Sequence, residues 1–154
     1  MKFGLRKLII TVAVVAMILA ALKYCAPPRI QWQRYDAKKV QHSIDAGENV
    51  LVYFRGREEN AKHHQCNPET MLSHTSFIKA VQSNQVHCFR AEAWQPSSPA
   101  QDEVIRLTGE VPEFTLAAYT QGKQTPILID ILSTRTPAGE QLENLIHGRD
   151  QLLP

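Results

Sequence analysis

Cysteine is scarce in this chain, and none stands at the spacing of a paired-thiol motif. Of 154 residues only three are cysteine, Cys25, Cys66 and Cys88, and no two of them form a C-x-x-C. Dithiol exchange and paired-cysteine zinc sites both use two thiols at that spacing, so neither has its usual motif here. The seven glycines build no phosphate-cradling loop. No nucleophile elbow sets a serine beside a histidine and an acid. Internal repeats and low-complexity tracts are absent too. With nine prolines and 21% charged residues, the composition is that of a globular chain and excludes a disordered or fibrous one. A mass of 17.4 kDa allows one ordinary domain and a short additional segment.

Acid is missing from residues 1–23, which carry Lys2, Arg6, Lys7 and Lys23. Without those four, the 17 Lys and Arg become 13 against 15 acids, so the whole chain's +2 turns into −2 for the remainder. A nucleic-acid-binding domain needs a basic face on its folded part, and that class is set aside.

Leu8–Leu22 reads LIITVAVVAMILAAL, an unbroken apolar run. A span needs ~20 residues, and Phe3–Leu5 and Tyr24–Ala26 can extend the run. Basic residues ahead of it favour the cytoplasmic side. The expectation is an uncleaved signal anchor over residues 1–26, entering the membrane through residues 8–26. It would cross a bacterial inner membrane once and leave the C-terminal domain in the periplasm. A cleaved signal peptide is the rival, but Ala20-Ala21-Leu22-Lys23-Tyr24 is a poor cleavage site. An acylated Cys25 would want small residues where Lys23 and Tyr24 stand. Pro27-Pro28 then opens a tether over residues 27–34. Trp32 and Tyr35, with Arg29 and Arg34, suit either lipid headgroups or the first packed segment of the domain.

The domain is expected over residues 35–150, with 151–154 as a tail. Asp36 can cap a helix to about Asp45, with Ala37, Val40 and Ile44 on one face and Gly47 at the stop. Asn49–Arg55 contains VLVYF, short, β-branched and aromatic, as a buried strand is. Pro68 interrupts any helix in the polar stretch that follows. Ser73 introduces a helix with Phe77, Ile78 and Val81 inward, and Val86–Ala91 is a second strand. Ser98, Pro99 and Gln101 spell a capping box with proline at the first helical position. That helix presents Val104, Ile105 and Leu107 before Gly109. Glu113–Tyr119 and Pro126–Leu132 are strands joined by a turn at Gln121-Gly122. Thr136 caps, and Pro137 starts, a last helix with Leu142, Leu145 and Ile146 inward. Strands alternating with helices, closed by a hairpin and a helix, imply an α/β fold with a mixed central sheet covered on both faces.

This order, with VLVYF, the turn Gly109-Glu110-Val111-Pro112 and the closing hairpin and helix, resembles the thioredoxin fold. It is most similar to the C-terminal domain of bacterial membrane disulfide reductases and their small membrane-anchored relatives. Two further features agree: the helix ending in Gly before the first buried strand, and the run Leu72-Ser73-His74-Thr75-Ser76-Phe77. The resemblance covers residues 32–150. In that family a W-C-x-x-C-K motif follows the first buried strand. Here Arg55 to Lys62 stands in its place, with Glu59 where the nucleophile would be, and a carboxylate cannot exchange disulfides. The resemblance also implies that Pro112 is the family's cis-proline and that Val111-Pro112 contacts a bound peptide backbone.

The implied function is a protein-binding or assembly module with an envelope protein as partner. Its binding residues would be Glu58, Glu59, His63, His64, Val111 and Pro112, and no cofactor is implied. Cys66 leaves three readings open: a semi-buried thiol, a disulfide with Cys88, or a reactive single thiol in a monothiol oxidoreductase. Cys88 by itself reads as ordinary strand packing. His63, His64 and Cys66 form H-H-x-C, but neighbouring histidines point apart and no second ligand pair accompanies them, so no metal is expected.

Overall fold

Five apolar residues in a row make sense only where both faces of a strand are buried. The computed structural model describes residues 2–25, 29–56, 68–110, 114–121, 123–129 and 136–148. Strand β2 (Val50–Arg55) stands at the centre of its sheet. It runs parallel to β3 (His87–Glu92) and antiparallel to β4 (Phe114–Tyr119). Short outer strands complete the order β1-β3-β2-β4-β5: β1 (Gln33–Arg34) parallel to β3, and β5 (Ile127–Ile129) antiparallel to β4. Residues Val50 to Phe54 are each 3% exposed or less.

Alternation along each strand sorts the side chains into two cores. Leu51, Tyr53, Cys88, Leu116 and Ala118 enter one. It is covered by α4 (Thr75–Ser83) and α6 (Ala138–Ile146) through Phe77, Val81, Leu142 and Leu145. Leu72 of the short helix α3 (Pro68–Leu72) joins them. Val50, Val52, Phe54, Phe89, Ala91 and Ala117 enter the other. There α2 (Ala37–Asp45) adds Val40 and Ile44, and α5 (Pro99–Thr108) adds Ala100 and Val104. This is the mixed sheet with helices on both faces that the order of elements predicts.

Helix ends follow local chemistry. The Asp36 carboxylate accepts from the backbone N–H of Lys38 and Lys39 at 3.0 and 3.3 Å. Ser98 Oγ accepts from Gln101 N at 3.2 Å, and Gln101 Oε1 accepts from Ser97 N at 2.9 Å, so the capping box closes one residue earlier than Ser98 itself. Gly109 ends α5 at φ +83°, where a Cβ would be strained.

Several expectations are corrected. Pro68 is the first residue of α3, where its missing N–H is no loss, and the polar stretch it is expected to break lies outside the described residues. Ser73 closes α3, its hydroxyl donating to the carbonyls of Glu69 and Thr70, and His74 stands at the N-cap of α4. Pro137, not Thr136, holds the N-cap position of α6, and no side chain caps it. Ala37 and Ile105 are exposed, because the packed stripes of their helices run through Val40 and Val104. Gln33 and Arg34, assigned to the tether, belong to the sheet, pairing with Phe89 and Arg90. Trp32 and Tyr35 pack on the domain, with ring centroids 5.9 Å from Tyr53 and 5.7 Å from Phe54.

Helix α1 (Lys2–Cys25) has 24 residues, about 36 Å at 1.5 Å per residue. Leu8, Ile9, Ile10, Val12, Val14, Val15, Met17 and Ile18 point all round it, 43–64% exposed. Among the described residues no helix is long and apolar enough to cross a membrane. The apolar stretch whose side chains are described, residues 8–18, falls short of the ~20 that a span needs.

Helices α4 and α6 approach closely at Gly139, where a Cβ would lie 2.9 Å from Phe77 N and 3.0 Å from Phe77 Cα. Backbone cannot yield there as a flexible side chain can. Gly139→Ala is therefore expected to cost about 1–3 kcal/mol of stability through overpacking, measured by urea denaturation. An unchanged midpoint would show that α6 slides freely on α4.

Candidate functional site

In sheets with parallel strands, sites gather at the carboxyl ends. The parallel strands β2 and β3 finish together, with Arg55 opposite Glu92. On its other side Arg55 faces Phe114, the first residue of β4. The segments 57–67 and 111–113 therefore attach at one edge of the sheet, through the ends of adjacent strands. Glu58, Glu59, His63, His64, Cys66, Val111 and Pro112 all lie in those segments and outside the described residues. The expected cis bond at Pro112 and the separation of Cys66 from Cys88 lie outside them as well.

At the carboxyl edge four charges interlock. Arg90 Nη2 donates to Glu69 Oε1 at 2.7 Å, and Arg55 Nε is 3.6 Å from the same oxygen. Glu92 Oε1 lies 3.7 Å from Arg90 Nε and 3.9 Å from Arg55 Nη1. Trp94 Nε1 donates to the other Glu92 oxygen at 2.9 Å. The Arg90 guanidinium also sits 5.8 Å from the Tyr53 ring centroid. Half-exposed pairs of this kind contribute about 0–1 kcal/mol each, so their use is to fix α3 against the strand ends. Among the described residues, two cations here meet two anions.

Beside this network lies a cavity of about 450 Å³, walled by Ile30, Trp32, Tyr53, Leu72, Glu69 and Arg90. The neighbouring Ser73 hydroxyl is committed to α3 carbonyls. Burial pushes the Tyr53 hydroxyl up to about 12, so it stays protonated at neutral pH. The described part of this edge offers aromatic contact and paired charge, and no activated nucleophile.

Cys88 is a free thiol, 3% exposed, with Sγ 3.6 Å from the carbonyl of Val86. Burial pushes the thiol up to about 12. Exchange chemistry runs through the thiolate, which this site suppresses. His74 is committed to its helix cap, and His87 Nε2 lies 3.5 Å from Glu48. Among the described residues no three His, Cys, Asp or Glu converge as a metal would require.

No family model matches the chain, and no curated protein matches it. Among solved structures it is similar to chloroplastic thioredoxin z, described as defining a type-specific target recognition. The two are 11% identical over 79% of this chain and 96% of that one, with a TM-score of 0.45. So distant a likeness carries nothing about function. The sheet itself, with order β1-β3-β2-β4-β5, three parallel strands, an antiparallel hairpin and helices on both faces, decides the architecture. The fold is thioredoxin-like. Within it, Glu69, Arg90 and Glu92 go unnoticed in the sequence, and Arg55 reads there only as a strand end beside a solvated charge cluster. Their signal was there for the strand residues: Arg55, Arg90 and Glu92 are charges set at the carboxyl ends of otherwise apolar strands.

Two outcomes follow from the buried acids. The neutral Tyr53 is favoured by the fold, so its contribution is complete below pH 10 and is lost as pH rises toward 12. The stability difference between the native chain and Tyr53→Phe should change by about 2–3 kcal/mol between pH 9 and 12 in chemical denaturation. A pH-independent difference would refute the burial. In the variant C25S/C66S, Cys88 should resist iodoacetamide at pH 8 while folded and react once urea unfolds the chain; rapid labelling of the folded form is the contrary result.

Proposed function

We propose that the chain is a membrane-anchored, exported thioredoxin-like domain that binds a protein partner in the envelope and performs no dithiol chemistry. One observation carries the binding reading: Arg55 and Phe114 are cross-strand partners, so the segments holding Glu58, Glu59, His63, His64, Val111 and Pro112 are rooted side by side. The resemblance read from the sequence gives these segments the contact with an extended stretch of a partner, with Val111-Pro112 against its backbone. The reading of that surface as non-catalytic is supported by the sequence, which has no C-x-x-C. The charges of Arg55, Glu69, Arg90 and Glu92 beside it are matched with one another and add little non-specific attraction of their own. Kinship with membrane-anchored disulfide reductases belongs to this proposal, as an ancestry in which the scaffold outlived the thiols.

Anchoring is supported by the sequence, in which three bases precede the apolar run Leu8–Leu22, and by the exposed apolar side chains over residues 8–18 of α1, which protein or lipid must cover. Three bases precede the apolar run and Lys23, Arg29 and Arg34 follow it, so orientation needs a direct test.

The full chain should show no turnover of insulin or glutathione disulfides above the uncatalysed rate. A photo-crosslinker at position 59 or 112 should trap one envelope protein that a crosslinker at position 143 does not. Pro112→Ala should cut that yield about tenfold, the equivalent of ~1.4 kcal/mol, while the unfolding midpoint holds. Turnover abolished by Cys66→Ser would replace the binding module with a monothiol enzyme. Release of the chain by alkaline carbonate, or a C-terminal reporter active only in the cytoplasm, would remove the anchor or the export.

A further inference from the structure

The charges along β1 and the start of α2 are arranged differently from those around Arg55, although Arg34 pairs in register with Arg90 of that network. Arg29, Arg34, Lys38 and Lys39 are all exposed. None of them makes an ion pair with a described residue. The acid nearest in sequence, Asp36, turns its carboxylate to the start of α2, accepting from the backbone of Lys38 and Lys39. A concavity of about 310 Å³ opens here between α2 and the β1–β3 edge, lined by Gln33, Lys38, Lys39, His42, Ser43 and His87. No acid is among its described lining residues. Glu48 reaches only the His87 ring, at 3.5 Å.

Distance supplies the second half of the inference. Helix α1 ends at Cys25, and Arg29 is four residues on. At ~3.3–3.6 Å per extended residue that step spans about 14 Å at most. From Ile30 onward the chain is packed on the domain, so the tether has little length to spend. If α1 is in a membrane, this edge is held within a few Debye lengths (~8 Å each) of the headgroups. Unpaired cations in that position are attracted by anionic lipid.

We infer that the concavity lined by Lys38, Lys39, His42 and His87 receives the phosphate of anionic phospholipid headgroups and seats the domain edge-on against the bilayer. The lysines supply the fixed charge, and Gln33 and Ser43 supply neutral hydrogen-bonding groups beside it. Exposed Arg34, next to Gln33 on β1, widens the contact along the same margin, while Arg29 lines the cavity beside Glu69 on the other face of the sheet. A lipid phosphate is the occupant because the anchor holds the concavity beside a lipid surface, at a high effective concentration of headgroups. The inference rests on the membrane anchoring proposed above, and the experiment separates the two.

The full chain, with Cys25 and Cys66 replaced by Ser, is labelled with a fluorophore at Gln41→Cys on α2 or at Glu143→Cys on α6. It is reconstituted into nanodiscs of phosphatidylcholine alone or with about one third phosphatidylglycerol, each containing a headgroup nitroxide quencher. Quenching at position 41 should rise with phosphatidylglycerol and fall in high salt, while position 143 stays unquenched. The double variant K38Q/K39Q should lower the docked-to-undocked ratio about thirty-fold, roughly five-fold per lysine. Equal quenching in both lipids, or no effect of K38Q/K39Q, overturns the proposal. So does quenching reversed by inorganic phosphate, but not by chloride at matched ionic strength, in neutral discs, which would assign the concavity to soluble phosphate. Failure to enter nanodiscs sinks the anchor; pelleting of that same chain with anionic vesicles would still support the basic edge, and its absence would end both.

Discussion

The structure depends on β2 being buried from both sides. Val50 to Phe54 lose contact with water on two faces at once, and full burial of such side chains is worth about 1.5–3 kcal/mol each. That gain is set against the entropy of ordering the backbone, so it has force only if the neighbours on both faces are present together. Hence the two cores are coupled through one strand. Leu51 and Tyr53 need α4 and α6, while Val50, Val52 and Phe54 need α2 and α5. The sequential distance between these helices is large, yet the strand that separates them makes each a condition of the other.

Where that burial stops, the chemistry of the edge begins. Arg55 is the first charged residue after the apolar run, and it meets Glu92 and Phe114 across the sheet. Around it the charges are consumed by one another: Arg90 and Glu69 at 2.7 Å, Glu92 between the two guanidiniums and the Trp94 indole. The margin at β1 has the reverse character. Its lysines and arginines lack acidic partners among the described residues, with Asp36 capping a helix and Glu48 beside His87. A self-neutralised edge favours contacts chosen by shape and hydrogen bonding, whereas an uncompensated one seeks an anion from outside. The domain thus carries two adjoining charge clusters of different chemistry, and the buried Cys88 belongs to neither.

Helix and strand positions were largely legible in the sequence because their causes are local. Asp36, the Ser98-Pro99 start and Gly109 act within one helical turn, and VLVYF announces a strand by its composition alone. The failures also have local reasons. Ser73 and His74 both offer a capping acceptor, and only the position of α3 decides that Ser73 turns back to Glu69 and Thr70. Gln33-Arg34 carries no strand pattern at two residues; it is a strand because β3 presents an open edge to it. Ile105 looks inward by spacing, but the helix is rotated so that Val104 takes the centre of the stripe.

The amino-acid sequence alone determined the alternation of elements, the apolar N-terminal run and the lack of a dithiol motif, since these depend on residue type and near neighbours. Tertiary structure decided which charges meet. Glu69 and Arg90 are 21 residues apart in sequence and bonded in space, while Lys38 and Lys39 find no acid although acids outnumber bases beyond residue 23. Electrostatic pairing falls off with distance through space, and only the packing of helices on the sheet sets those distances.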